Sequence, residues 1–276
     1  MAQEVTLTSA LRTNLLSLQG TQKLLDQTQL RLATGKKVNS ALDNANAFFA
    51  SQSLTNRASD LSRLLDGIGQ SVQTLKAASQ GIDSAVSFLE QMQAVGQEAL
   101  DQSNANGGGP PADLASLVAS YDELRSQLDS LAQDSGYRGT NLLDSGTLNV
   151  NFNEDGSSSL TVTGVDFTVN GDLAITAAST WGSNQDLRDS LDEIEAALSF
   201  ARSTARELGT NLNIIQTRED FTNNLINILK EGSDKLVLAD NNEEGAKLLA
   251  LQTQQQLGIT SLSLASQAQQ SVLSLF

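Results

Sequence analysis

The chain predicts a mainly α fold: long helices packed as a coiled-coil or bundle rod, paired helices at its two ends, and a small antiparallel β-hairpin element. Three observations carry this. Leucines recur every seven residues at both termini. Two interior stretches, from about residue 44 to residue 102 and from about Asn184 to Leu238, keep the same period without a proline. Between the helical arms lies one stretch rich in alternating β-formers. A seven-residue apolar period is the signature of helices that bury one seam against a partner helix.

At the start, Leu11, Leu18, Leu25 and Leu32 share one heptad position, with Leu15, Gln22 and Gln29 as companions. At the finish, Leu248, Gln255, Leu262, Gln269 and Phe276 share one position and Leu251, Gly258, Ala265 and Val272 the other. Each terminal seam asks for a partner, and the other terminus is the first choice. Burying a leucine is worth about 1.5 to 3 kcal/mol, but Gln, Gly and Ala at seam positions make this interface thin. The termini are therefore expected to become fully helical when neighbouring copies add contact area.

Between the first two helical segments, Gly35 can end a helix in the left-handed conformation, and Ser40 or Asp43 can cap the next. That second helix carries Leu54, Leu61, Ile68, Leu75, Ile82 and Leu89 on one row and Ala58, Leu65, Val72, Ser79 and Val86 on the other. NANGGGPP (Asn104 to Pro111) ends it. Asp113 can cap a third helix to about Gln133, with Leu114, Tyr121 and Leu128 on one row and Leu117, Leu124 and Leu131 on the other. The last long helix pairs a row of Leu187, Ile194, Ala201, Leu208, Ile215 and Leu229 with one of Leu191, Leu198, Ala205, Leu212 and Ile226. Matched stripes of this kind can bury one another in a bundle. The strand-like segments are Thr147 to Phe152, Ser159 to Gly164 and Asp166 to Gly171, with Asp155-Gly156 and Gly171-Asp172 as turn signals.

Composition narrows the function classes. The 276 residues are 39% hydrophobic but only 4% aromatic, which suits long aliphatic-packed helices better than an aromatic-filled enzyme core. A net charge of -15 repels phosphate backbones and anionic lipid, so neither nucleic acid nor membrane is expected as a partner. No apolar run approaches the roughly 20 residues of a membrane span. With no Cys and no His, most zinc sites and every Ser-His or Cys-His nucleophile are excluded. No enzyme activity and no cofactor are expected. The opening MAQEVTLTSALRTN lacks a basic region followed by an apolar one, so the general secretory signal is not the expected route.

Polar clusters have structural readings. Asp240 to Gly245 lacks the alternating spacing and distal Glu of a calcium loop and reads as a solvated bend or helix cap. Asn153 to Ser159 reads as a hairpin turn. Gly107 to Gly109 have no accompanying Lys or preceding strand and read as a helix-helix loop rather than a phosphate cradle. Trp181 reads as a packing anchor. Lys36 and Lys37 fit either an anionic partner or a solvated turn beside a helix C-terminus.

The string LATGKKVNSALDNA (Leu32 to Ala45) resembles the signature of bacterial flagellins: a small-residue turn, a basic residue, an aliphatic, Asn, Ser, Ala and an Asp-containing cap. GYRGTNLLD (Gly136 to Asp144), LGTNLNIIQTREDFTNNLINIL (Leu208 to Leu229) and the apolar ending SVLSLF (Ser271 to Phe276) follow in the family's order. The resemblance covers essentially the whole chain and implies a filament subunit. It implies a minimal form with D0 and D1 domains only: residues 1–42 as the N-terminal half of D0 with its connecting turn, 43–136 as the D1 N-terminal helices, 137–180 as the D1 hairpin region, 181–236 as the D1 C-terminal helix, and 237–276 as the C-terminal half of D0.

The implied function is self-assembly into the bacterial flagellar filament for swimming motility, outside the cell. Leu11, Leu15, Leu18, Leu25, Leu32, Leu251, Leu262, Val272, Leu275 and Phe276 are the expected assembly interface, and Gly35, Asn39, Ser40 and Asp43 the inter-helix turn. The implied partners are further copies, a flagellin export chaperone, the filament cap, hook-filament junction proteins and the flagellar type III export apparatus. Two departures from the family pattern stand out. Ser87 to Ser103 has no Arg or Lys, with Gln91 and Gln93 near where many flagellins carry basic residues read by a vertebrate Toll-like receptor, so weak activation is expected. The chain ends on Phe276 after Gln267 to Gln270, where the family often has Asn, Pro and a Leu ending. Some flagellins carry O-linked sugars on exposed hairpins, where Ser157, Ser158, Ser159, Thr161 and Thr163 fall here. The rival readings are a hook-filament junction protein, which would stop at a short ring, and a secreted coiled-coil effector or adhesin.

Overall fold

The structure is a computed structural model describing residues 9–273, without the side chains of Ala10, Thr180, Gln269, Val272 and Leu273. In chain order come α1 (Ser9–Thr34), α2 (Ala45–Ala105), α3 (Leu114–Asp134), β1 (Thr147–Asn151), β2 (Ser159–Thr163), a single 3-10 turn (Ala178–Thr180), α4 (Asn184–Val237) and α5 (Asn241–Leu273). The fold class is the one the heptad rows predict: mainly helical, with one two-stranded antiparallel sheet and the terminal helices α1 and α5 packed on each other. The chain divides into two compact units, a middle unit of residues 58–226 and a terminal unit of residues 1–57 with 227–276.

In the middle unit, heptad periodicity becomes a single apolar core. Leu61, Ile68, Leu75, Ile82 and Leu89 of α2 are all buried, as are Tyr121 and Leu128 of α3 and Leu187, Ile194, Ala201, Leu208 and Ile215 of α4. Small residues alternate with the large ones on α2 (Ala78, Ala85, Ala99), so neighbouring side chains can interdigitate. Trp181 is 1% exposed, meets Tyr121 edge-on with ring centroids 4.8 Å apart, and donates from Nε1 to Ser190 Oγ at 2.9 Å. It is the packing anchor expected at the entry to α4.

The hairpin pairs Thr147 with Thr163 and Asn151 with Ser159. Val150 and Val162 point into the core, and Arg218 of α4 sits 5.4 Å over the Phe152 ring. Gly156, at φ +72°, turns the tip, where Asn153 Oδ1 accepts from Ser158 N and Asp155 Oδ1 from Ser157 N.

Two local expectations are corrected. Asp166 to Gly171 is not a third strand: Asp166 Oδ1 accepts from Thr168 N and Oγ1, Asp172 Oδ2 accepts from Asp166 N, and Asp129 Oδ1 accepts from Val169 N. Short polar side chains satisfy this backbone locally, leaving only a bridge between Asp144 and Asp166. Asp113 precedes α3 without a side-chain capping bond. Its own N-H donates instead to Gln102 Oε1 at 3.2 Å.

Candidate assembly surface

The terminal unit holds the leucine rows. On α1, Leu11 and Leu25 are buried, and Leu18 and Leu32 are half-buried. Their companions differ from the expected row. Thr21 and Thr28 are buried and Asn14 is half-buried, whereas Leu15 is 39% exposed and Gln22 and Gln29 are exposed. Thr21 is hidden at little cost because its hydroxyl donates to Ser17 O at 3.0 Å, leaving its methyl to pack. On α5, Leu248, Leu251, Gln255, Gly258, Leu262 and Ala265 are all half-buried, the two rows expected from the period.

Three contacts run antiparallel along the pair. A Cβ built on Gly258 would lie 2.7 Å from Leu18 Cδ2, so the leucine seats against bare backbone. Gln255 Nε2 donates to Gln22 Oε1 at 2.6 Å. Arg31 Nη1 donates to Glu244 Oε1 at 3.0 Å, and the Glu244 side chain is only 6% exposed. Val272 has no described side chain, and Leu275 and Phe276 lie outside the described residues.

The helix-to-helix turns are built from short polar contacts. Gly35 has φ +68°, a conformation that costs glycine little. The Asp43 carboxylate accepts from Asn39 N at 2.9 Å and Ser40 N at 3.0 Å, and these bonds hold it below the usual carboxylate range. Asn39 Nδ2 donates to Lys36 O at 3.0 Å. Neither Ser40 nor Asp43 caps α2; Asn44 does, its Oδ1 accepting from Ala47 N at 3.1 Å. Asp240 Oδ1 accepts from Asn242 N and Glu243 N at the start of α5. The two turns are bonded to each other: Lys37 N donates to Val237 O at 2.7 Å, Ala239 N to Gly35 O at 2.9 Å, and Lys37 Nζ to Lys235 O at 3.1 Å.

The surface chemistry of the two units differs sharply. The middle unit has 24 acidic and 8 basic side chains, the terminal unit 8 acidic and 9 basic, and no residue after Lys247 is charged. Among the described residues, twelve of the fourteen strongly exposed large hydrophobic side chains belong to the terminal unit. They include Leu16, Leu24 and Leu30 on α1, Leu249, Leu257, Ile259 and Leu264 on α5, Phe49 on α2, and Leu42, which is 98% exposed. Reading only the inner heptad row misses these outer residues, which stay exposed among the described residues. A unit with almost no net charge that leaves this much apolar surface in water is suited to association with other copies. Among the described residues, no group of three or more His, Cys, Asp or Glu is placed to hold a metal ion.

Comparison with known proteins shows the family. The family described as the bacterial flagellin N-terminal helical region matches residues 5–147, and the bacterial flagellin C-terminal helical region matches residues 191–276. Flagellin FljM of Caulobacter vibrioides is 32% identical over 262 residues, covering 94% of this chain and 93% of that protein. The flagellin of Brucella melitensis biotype 1 is 30% identical over 288 residues, covering 100% of this chain and 99% of its own. The crystal structure of Bacillus cereus flagellin aligns with a TM-score of 0.48 at 15% identity, covering 56% of this chain and 88% of that one. With both helical regions matched and relatives aligned nearly end to end, the chain belongs to the bacterial flagellins, structural subunits that self-assemble into the flagellar filament for swimming motility.

Proposed function

We propose that copies join through the terminal unit, with Leu11, Leu15, Leu18, Leu25 and Leu32 at one end of the chain and Leu251, Leu262, Val272, Leu275 and Phe276 at the other acting by burial rather than chemistry. The observation that carries this reading is the partition of surface: rich in exposed apolar side chains with almost no net charge in the terminal unit, strongly acidic in the middle unit. Residues 1–42 and 237–276 act as the two halves of D0. Residues 43–136, 137–180 and 181–236 act as D1. Gly35, Asn39, Ser40 and Asp43 form the turn that returns the chain from one to the other. The terminal helices complete their burial on docking, so polymerisation is coupled to ordering and stabilised by many repeated interfaces.

A charge at Leu18 or Leu262 tests this. Leu18→Asp and Leu262→Asp should abolish filaments in seeded polymerisation followed by electron microscopy, while fluorescence of the single buried Trp181 reports an intact middle unit. Filaments of normal length from either variant would refute the interface.

The protein acts without catalysis, outside the cell. It leaves through the flagellar type III apparatus, accompanied by an export chaperone that covers the C-terminal helix, and meets the filament cap and hook-filament junction proteins at the ends of the polymer. Along Ser87 to Ser103 the exposed Gln91 and half-buried Gln93 offer no positive charge, so activation of the vertebrate receptor by aggregate-free monomer is weak. A strong signal in receptor-expressing cells would refute that.

A further inference from the structure

In an Asn-Gly pair the side-chain amide and the backbone nitrogen that follows can react with each other, because glycine has no side chain to shield that nitrogen. The chain holds two such pairs, Asn106-Gly107 and Asn170-Gly171. Both asparagines are exposed, and both pairs belong to the middle unit. They differ in what holds them.

Asn106 directly follows α2 and opens the run of three glycines. Gly107 and Gly108 have φ +72° and +89°, and a Cβ built on Gly107 would meet no atom within 4 Å. Gly107 N donates to Asn104 O at 3.2 Å, and Asn106 Nδ2 donates to Pro110 O at 3.0 Å. The second bond folds the carboxamide forward, toward the chain that carries the attacking nitrogen. Both are bonds between neutral groups, worth about 1 kcal/mol each. Asn170 is clamped more firmly. Its Oδ1 accepts a charge-assisted bond from Arg125 Nη2 at 2.9 Å, and Arg125 is itself fixed by donating from Nε to Ile175 O at 3.1 Å. Gly171 N donates to Thr168 O at 3.1 Å, and the Asp166 carboxylate fills the space a Gly171 side chain would take. The turn is pinned on either side by Val169 and Leu173, both buried.

We propose that Asn106 is a site of self-modification and that Asn170 is held unreactive by the fold. The Gly107 nitrogen attacks Asn106 Cγ: a C-N bond forms, the bond from Cγ to Nδ2 breaks, and the proton of the Gly107 N-H leaves with the amide as ammonia. Water then opens the cyclic imide at either carbonyl, giving aspartate or isoaspartate, and nothing is oxidised or reduced. Holding amide and nitrogen in one open loop makes the attack intramolecular. Each event adds a negative charge to a unit that already sums to -16. The isoaspartate product also lengthens the main chain by a carbon in a loop that is tied to α4, where Asn184 Nδ2 donates to Asn104 Oδ1 at 2.7 Å.

The test is peptide mapping by mass spectrometry of the full-length chain, incubated folded at mildly alkaline pH in water enriched in heavy oxygen. Residue 106 should exchange its amide for a solvent-derived hydroxyl oxygen, with both acid isomers present, about tenfold faster than residue 170. Equal rates, or faster conversion at Asn170, would overturn the proposal. In denaturant the two rates should converge; a tenfold gap that persists there would assign the difference to local sequence and overturn the role of the fold. Arg125→Gln should raise the rate at Asn170 about tenfold and leave Asn106 unchanged, with Trp181 fluorescence showing that the middle unit stays folded. A folded Arg125→Gln chain with no acceleration at Asn170 would overturn the clamp.

Discussion

Tyr121 is fully buried against Trp181, yet its hydroxyl finds no hydrogen-bond partner among the described residues. Burial, followed by the nearby Glu193 carboxylate, pushes its ionisation well above the ordinary value of 10.0. For a group that is neutral when protonated, a raised folded-state value means its stabilisation is intact below the unfolded-state value and is lost as pH climbs above it. Tyr121→Phe keeps the ring and removes the unpaired hydroxyl, so the middle unit should gain about 1 kcal/mol at neutral pH. It should also lose part of its alkaline sensitivity above pH 10.0. Denaturant unfolding followed by Trp181 fluorescence at both pH values checks this; a clear loss of stability at neutral pH would show that the hydroxyl is satisfied after all.

Among the elements, α2 starts where Asn44 accepts from Ala47 N, so Asn44→Ala should cost about 1 kcal/mol. Hydrogen exchange should rise at Ala47 and Phe48 and not in the middle of α2; unchanged exchange there would reassign the cap. The rows of α2 and α4 were legible in the sequence because Leu, Ile and Ala at seven-residue spacing state their burial directly, and Gly35 was legible because an αL helix stop favours glycine. The inner companion row of α1 was not, since Thr21 becomes seam-compatible only by bonding back to Ser17 O, a contact hydropathy does not register. The absent third strand has a related cause: Asp166, Thr168 and Asp172 supply backbone partners that alternation of β-formers would otherwise seek in a ladder. At the candidate surface, the heptads located the paired helices. The outward set of Leu16, Leu24, Leu30 and Leu42 needed the structure, because an exposed leucine and a buried one read alike without a neighbour.

Across the whole molecule, the charge of -15 resides in the middle unit, which alone sums to -16 against +1 for the terminal unit. Copies that join through a unit of almost no net charge must still bring acidic units into one polymer, so self-repulsion opposes growth. Raising salt from about 0.01 M to about 0.15 M shortens the screening length from roughly 30 Å to roughly 8 Å. The critical concentration for polymerisation should therefore fall over that range, as measured by sedimentation of seeded samples. A rise with salt would instead mean that attraction between opposite charges drives assembly. The hairpin has a practical corollary. Asn151 and Ser159 are partners across the strands, so the chain leaves and re-enters the sheet within about 5 Å at an exposed tip. A guest peptide or small domain whose own ends lie side by side can be spliced into the exposed turn beyond Phe152 without stretching either strand.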